Sequence, residues 1–100
     1  MHLSRQRSVV LGHFRDHLDG ELSGADLMRL TGFSSGSLYP ILIAFEEAGL
    51  LDSHWESQSA QELGRPRRRL YRLTSRGLQI ANHAVELQNL ISALPEPSTK

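Results

Sequence analysis

The sequence predicts a mainly α-helical domain with one small β-hairpin, and a last helix set apart for joining two copies. Three observations predict this. Apolar residues recur at helical spacing through the first half of the chain; they alternate with polar ones on both sides of a polar loop between 51 and 73; and they return to alternating spacings of four and three after 74. At 100 residues the chain can build one hydrophobic core but not two.

Ser4 to His17 reads as the first helix, with Val10, Leu11, Phe14 and Leu18 on one face. The Asp19-Gly20 dipeptide ends it in a turn. Ser23 then offers an N-cap oxygen, and Asp26 three positions later completes a short capping box. The brief second helix, Ala25 to Thr31, stops at Gly32, a residue suited to the left-handed C′ position. Ser34 or Ser35 caps a third helix whose apolar face is Leu38, Ile41, Leu42 and Phe45, and Gly49 closes it. Pro40 sits early in this helix, where a missing N–H does least harm. Two short helices on either side of Gly32 form a helix-turn-helix candidate.

After Gly49 the period changes. Leu51, Ser53 and Trp55 fall on one side of a strand and Asp52, His54 and Glu56 on the other. A polar loop containing Gly64 runs from Ser57 to Pro66. The returning strand, Arg67 to Leu73, puts Tyr71 and Leu73 on one face and Arg68 and Arg72 on the other, with Leu70 among the arginines against the alternation. Thr74 caps the last helix, which runs to Leu94 before Pro95-Glu96-Pro97 and is about 30 Å long at 1.5 Å per residue. Leu78, Ala81 and Val85 suit packing on the domain. Ile80, Ala84, Leu87, Ile91 and Leu94 form a heptad seam for a second copy; the alternative is a helix folded back on its own core. The expected organisation is a helix-turn-helix domain with a hairpin over 1–73, a dimerisation helix over 74–94 and a disordered tail over 95–100.

Composition narrows the function. Hydrophobic residues at 39% and charged residues at 22% fit a folded soluble domain, not a disordered one. With no cysteine there is no disulfide framework, thiolate zinc site or thiol nucleophile. No apolar run reaches the roughly 18 residues of a membrane span, so a cytoplasmic protein without membrane contact is expected. Serines occur without a G-x-S-x-G elbow and no phosphate-binding glycine loop is present, so the chain does not read as an enzyme. His13 and His17, four apart near Asp16, could face one metal, but exposed helix histidines are more often plain surface residues. No metal and no cofactor are expected.

Charge is segregated although Lys+Arg and Asp+Glu balance at 11 each. From Asp16 to Glu62 there are nine acids and one base, Arg29; from Arg65 to Arg76 there are six arginines and no acid. Arginine presents a rigid fork of donors that fits phosphate and guanine.

Ser35-Gly36-Ser37-Leu38-Tyr39-Pro40-Ile41-Leu42 followed by Phe45-Glu46-Glu47-Ala48-Gly49-Leu50-Leu51 resembles the third-helix signature of PadR-family transcriptional regulators. Gly64-Arg65-Pro66-Arg67-Arg68-Arg69-Leu70-Tyr71-Arg72-Leu73-Thr74, with Gly77 after it, is similar to that family's wing and the start of its C-terminal helix. The likeness extends over about Val9 to Leu94 and fits the short type with a single C-terminal helix. It implies a winged helix-turn-helix fold and a homodimeric DNA-binding regulator, a repressor in function. Two departures stand out. Gly24-Ala25-Asp26-Leu27 replaces the family's frequent Gly-Tyr-Glu-Leu, and Ile43-Ala44 stands where basic residues are common, which shifts phosphate contacts towards the wing.

On this reading Ser34, Ser35, Gly36 and Ser37 let the third helix approach the DNA backbone, with Tyr39 and Pro40 just behind them. Arg65, Arg67 and Arg68 suit the minor groove or its phosphates. Tyr39 has an equal alternative as a core or dimer tyrosine, Ile43 could support a partner contact, and Arg69 and Arg72 could turn inward towards Glu46 or Glu47. Two-fold symmetry implies an inverted-repeat operator on double-stranded DNA. Trp55 is the candidate for stacking on a small aromatic effector, or else a core residue at the base of the wing. The rival function is a protein-binding winged-helix adaptor that does not bind DNA.

Overall fold

Serine caps start the helices. In the computed structural model, which describes the backbone of residues 3–93 and the side chains there other than Gln88, Ile91, Ser92 and Ala93, the first helix α1 is Arg5–Asp16 and Ser4 Oγ accepts from the Arg7 N–H at 3.2 Å. A two-residue strand β1, Leu22–Ser23, leads into α2, Gly24–Thr31. Ser23 and Asp26 form the expected capping box, with bonds of 2.9 and 3.1 Å. Those bonds satisfy a serine that is almost fully buried. Burial pushes the Asp26 carboxyl up, but the bonds from Ser23 and the nearby Arg29 outweigh it and its pKa lies below the ordinary value. Gly32 ends α2 at φ 74°.

Helix α3 is Ser35–Glu47, capped by Ser34. Its buried face is Leu38, Ile41, Leu42 and Phe45, as the periodicity predicts. Pro40 is the sixth residue of α3, further in than an N-terminal position, so the Gly36 carbonyl has no helical N–H partner there. Strands β2, Leu51–Trp55, and β3, Arg69–Leu73, are joined by a connection that contains a short helix α4, Ala60–Leu63. The sequence reading expects only a loop there. A second capping box, Ser59 with Glu62, starts α4, and Gly64 at φ 68° ends it.

The hairpin is part of a three-stranded antiparallel sheet in the order β1-β3-β2. Leu22 pairs with Tyr71 and Ser23 with Leu70, while Leu51 pairs with Leu73 and His54 with Leu70. This third strand accounts for Leu70, which sits mid-sheet between Ser23 and His54. The opposite face, with Leu22, Leu51 and Tyr71, is buried against the helices. Val10, Leu11 and Phe14 of α1, Leu27 of α2 and the α3 face complete the core. Leu18, expected on the α1 face, is 53% exposed because the helix ends two residues earlier and the chain turns away.

The last helix α5, Ser75–Ala93, is anchored at its first turn. Thr74 Oγ1 accepts from the Gly77 N–H at 3.0 Å and donates to the Gly49 carbonyl at 2.6 Å, and the Thr74 N–H donates to the Leu50 carbonyl at 3.0 Å. Gly77 lies so close to that segment that a Cβ would sit 2.0 Å from the Leu50 carbonyl oxygen. Further along, Ala81 enters the core and Arg15 Nε donates to Asn82 Oδ1 at 2.7 Å, fastening α5 to α1. Among the described residues no helix is long and apolar enough to cross a membrane.

Alanine is the better helix former by about 1 kcal/mol, so Gly77→Ala would stabilise α5 if the space were open. The clash is with backbone, which cannot rotate aside as a side-chain end can. Gly77→Ala is therefore expected to lower the urea midpoint, costing about 1–3 kcal/mol net. An unchanged or raised midpoint would show that α5 can lift from Leu50 freely.

Candidate nucleic-acid interface

The first turn of α3 is exposed and built from small residues. Ser34 Oγ accepts from the Ser37 N–H and donates to Ser37 Oγ, both at 3.3 Å, so these two hydroxyls shape the helix start. Ser35 and Gly36 are exposed beside them, at the end where amide hydrogens point out of the helix and the dipole favours an anion. Tyr39 is 38% exposed, and its hydroxyl end lies against α2: a Cβ on Gly24 would come within 2.1 Å of Tyr39 Oη. Glycine at 24 thus lets the tyrosine lie across the first turn of α2. Pro40 is exposed next to it, and Ile43 follows one turn on from Tyr39, 55% exposed. The 13 residues of α3 include no Lys, Arg, His, Asn or Gln.

Cations come from the wing, and Glu56 arranges them. Its carboxylate accepts from Arg65 Nη1 at 2.7 Å and Nη2 at 3.1 Å, a bidentate pair, and from the Arg68 N–H at 2.8 Å. The Glu56 carbonyl accepts from Arg67 Nε at 2.7 Å, and its N–H donates to the Arg68 carbonyl at 3.0 Å, continuing the ladder past β2. The Arg65 guanidinium holds the Glu56 carboxyl below the usual carboxylate range, against partial desolvation, with help from the Arg68 N–H. Arg65, expected to face phosphate, is thus committed to an internal ion pair. Arg67 and Arg68 are exposed, and the Arg68 guanidinium has no hydrogen-bonded partner among the described residues.

Arg69 takes the inward alternative. Its Nε donates to Ser53 Oγ at 2.9 Å, Ser53 donates to Glu46 Oε2 at 2.6 Å, and Arg69 Nη2 lies 4.0 Å from the same carboxylate. The Arg69 guanidinium stacks over Trp55, 5.4 Å from the ring centroid. Trp55 is 53% exposed, so it is not a core residue. A groove of about 440 Å³ brings Tyr39, Trp55, Arg67 and Arg68 together with Gly24 and Met28. Arg65 and the α3 serines do not line it. Arg72, on the other sheet face, is exposed opposite Asp52.

On that other face His54 bridges the sheet. Its Nδ1 bonds the Trp55 carbonyl at 3.0 Å, and its Nε2 pairs with the Glu21 carboxylate. The Trp55 carbonyl and Glu21 raise the imidazole pKa above its ordinary value, against a small desolvation and Arg72. Elsewhere, His17 Nδ1 bonds the His13 carbonyl at 2.7 Å, and no three His, Cys, Asp or Glu side chains gather into a metal-binding group among the described residues.

Of the seam residues on α5, Ile80 is half-buried against the core. Ala84 lines a cleft with Ser8, Leu11 and Gly12 of α1. Leu87 is exposed, as is Leu90, which the heptad reading leaves out. The Ile91 side chain and Leu94 lie outside the described residues.

The profile of the PadR-like family of transcriptional regulators matches residues 21–83, from the residue before β1 to just short of the middle of the helix that leaves the wing. The chain belongs to that family. It is a transcriptional regulator and not an enzyme. Its PadR-like fold recurs in a PadR family regulator from Eggerthella lenta (21% identity, TM-score 0.69, covering 87% of this chain and 78% of that one). The transcriptional regulator ytfH from Salmonella typhimurium is also similar (28% identity, TM-score 0.69, 89% and 72% coverage). So is MepR from Staphylococcus aureus in its complex with DNA (14% identity, TM-score 0.74, 91% and 68% coverage). No curated protein matches the chain in sequence.

In this PadR-like chain, the residue that sequence reasoning missed is Glu56. The signal was present: it is the acid directly after β2, facing a run of arginines. The Ser59-x-x-Glu62 spacing likewise announced α4.

The two ion pairs of the wing respond to pH in opposite directions. The Glu56 pair is intact above the carboxylate range and is lost as pH falls through its lowered value. The His54–Glu21 pair is fully present below the ordinary imidazole value and is lost as pH rises through the raised one. An NMR titration is expected to find His54 above an ordinary histidine, with Glu21→Gln bringing it partway down. An ordinary value in the wild type would remove the bridge.

Proposed function

We propose that the chain is a homodimeric, sequence-specific DNA-binding repressor that reads duplex DNA with α3 and grips it with Arg67 and Arg68. One observation supports this above all. Tyr39 of α3 and two exposed wing arginines line one groove, and the uncharged, small-residue start of α3 lies about one turn before Tyr39. A helix start offers amide donors to a phosphate, the arginines displace counterions from the backbone, and α3 is left to meet the bases. The complex of MepR with DNA supports the reading by likeness of fold.

Pairing runs through the far half of α5. The domain already covers Ala81 and much of Ile80 and Ala84, whereas Leu87 and Leu90 are exposed. Two-fold pairing calls for an inverted-repeat operator with half-sites about one helical turn apart. An aromatic effector stacking on Trp55 would enter the groove that Tyr39 and the arginines line, and so compete with the duplex.

Binding to a 30-base-pair duplex titrated against salt tests this. Arg68→Ala is expected to reduce the salt slope by about one, on random and selected DNA alike. Arg65→Ala is expected to act differently, exposing the Arg68 amide to hydrogen exchange while leaving the slope nearly unchanged. No retention of any duplex at low salt would overturn the reading in favour of a protein-binding adaptor.

A further inference from the structure

We infer that Ile43 is a specificity-determining residue that selects thymine through its C5-methyl group. The inference rests on the DNA-binding reading above and adds which base edge α3 can recognise.

The outward stripe of α3 runs through Gly36, Tyr39, Pro40, Ile43 and Glu47, all of them exposed. The bidentate contacts that specify guanine or adenine in the major groove come from guanidinium, ammonium or amide groups, and α3 has none of them. What it offers is hydroxyls and hydrocarbon. The one apolar group that any base presents in that groove is the thymine methyl. An exposed Ile43 set against the polar edge of a G·C pair would strip water from donors and acceptors without replacing their bonds, which adds a penalty against the wrong base. Glu47, one turn further on, repels the phosphate backbone, so the helix enters by its N-terminal end, and Ile43, just past the middle, is the last exposed apolar residue of α3 before that charge. Tyr39 and Ile43 are about 6 Å apart along the axis, at 1.5 Å per residue, which spans about two base-pair steps of 3.4 Å.

A protein partner fits this residue less well. A stable protein interface covers about 800 Å² on each side. Ile43 stands between Pro40 and Glu47, one turn on from Tyr39, which lines the groove with Arg67 and Arg68, and the exposed leucines among the described residues are on other elements.

The test uses the full chain. Sites are selected from a random double-stranded pool, and one selected duplex is made twice, with thymine and with deoxyuridine, which lacks only the methyl. Fluorescence anisotropy is expected to give about fourfold weaker binding for each contacted methyl removed. Ile43→Ala, at an exposed helix position that alanine suits, is expected to keep its circular dichroism and its affinity for random DNA and to bind both duplexes alike. Equal binding of the two duplexes by the wild type overturns the inference, as does an Ile43→Ala variant that still prefers thymine. Loss of dimer in that variant by sedimentation makes Ile43 a protein contact and also overturns it. Failure to retain any duplex from the pool is a separate result, and it defeats the DNA-binding reading itself.

Discussion

The wing depends on one carboxylate. Glu56 directly follows β2; its carboxylate holds the Arg65 side chain and the Arg68 amide, and its carbonyl accepts from Arg67, so the ladder continues beyond its last regular pair. A loop carrying several arginines close together is self-repelling, and an internal counter-charge offsets that repulsion without waiting for DNA to arrive. The same contact divides the arginines into two kinds. Arg65 and Arg69 hold structure, the latter through Ser53 and Glu46, while Arg67 and Arg68 stay at the surface.

This division fits a third helix that carries no cation. Because α3 has no cation, the positive charge on this side of the domain is concentrated in the wing. Glu46 links the two parts, because it joins α3 to the sheet through Ser53 and Arg69. A rotation of the wing would therefore pull on the last turn of α3. Trp55 lies over the same arginine, so it is a cover for that linkage as well as a wall of the groove.

Much of this was legible in the sequence because it is local. The capping boxes, the glycines at helix ends and the apolar face of α3 follow from residues three or four apart, and they appear where the pattern puts them. The features that were not legible depend on distant partners. Strand β1 is two residues long and exists only because β3 offers an edge, so no alternation could reveal it. Leu70 looked misplaced until that strand supplied its neighbour. A guanidinium reads the same in the sequence whether it will face a phosphate or a carboxylate nine residues away, which is why Arg65 was grouped with Arg67 and Arg68. Trp55 was divided between core and surface for a similar reason, since its environment is set by an arginine on the neighbouring strand.

The joint at Thr74 and Gly77 has a mechanical consequence. With a backbone carbonyl seated against a residue that has no side chain, and three hydrogen bonds around it, α5 leaves the domain with no hinge at its root. Torque applied to the far end of that rod is delivered to Gly49 and Leu50, which follow the end of α3. Tilting the rod would thus turn α3 as a lever turns a key.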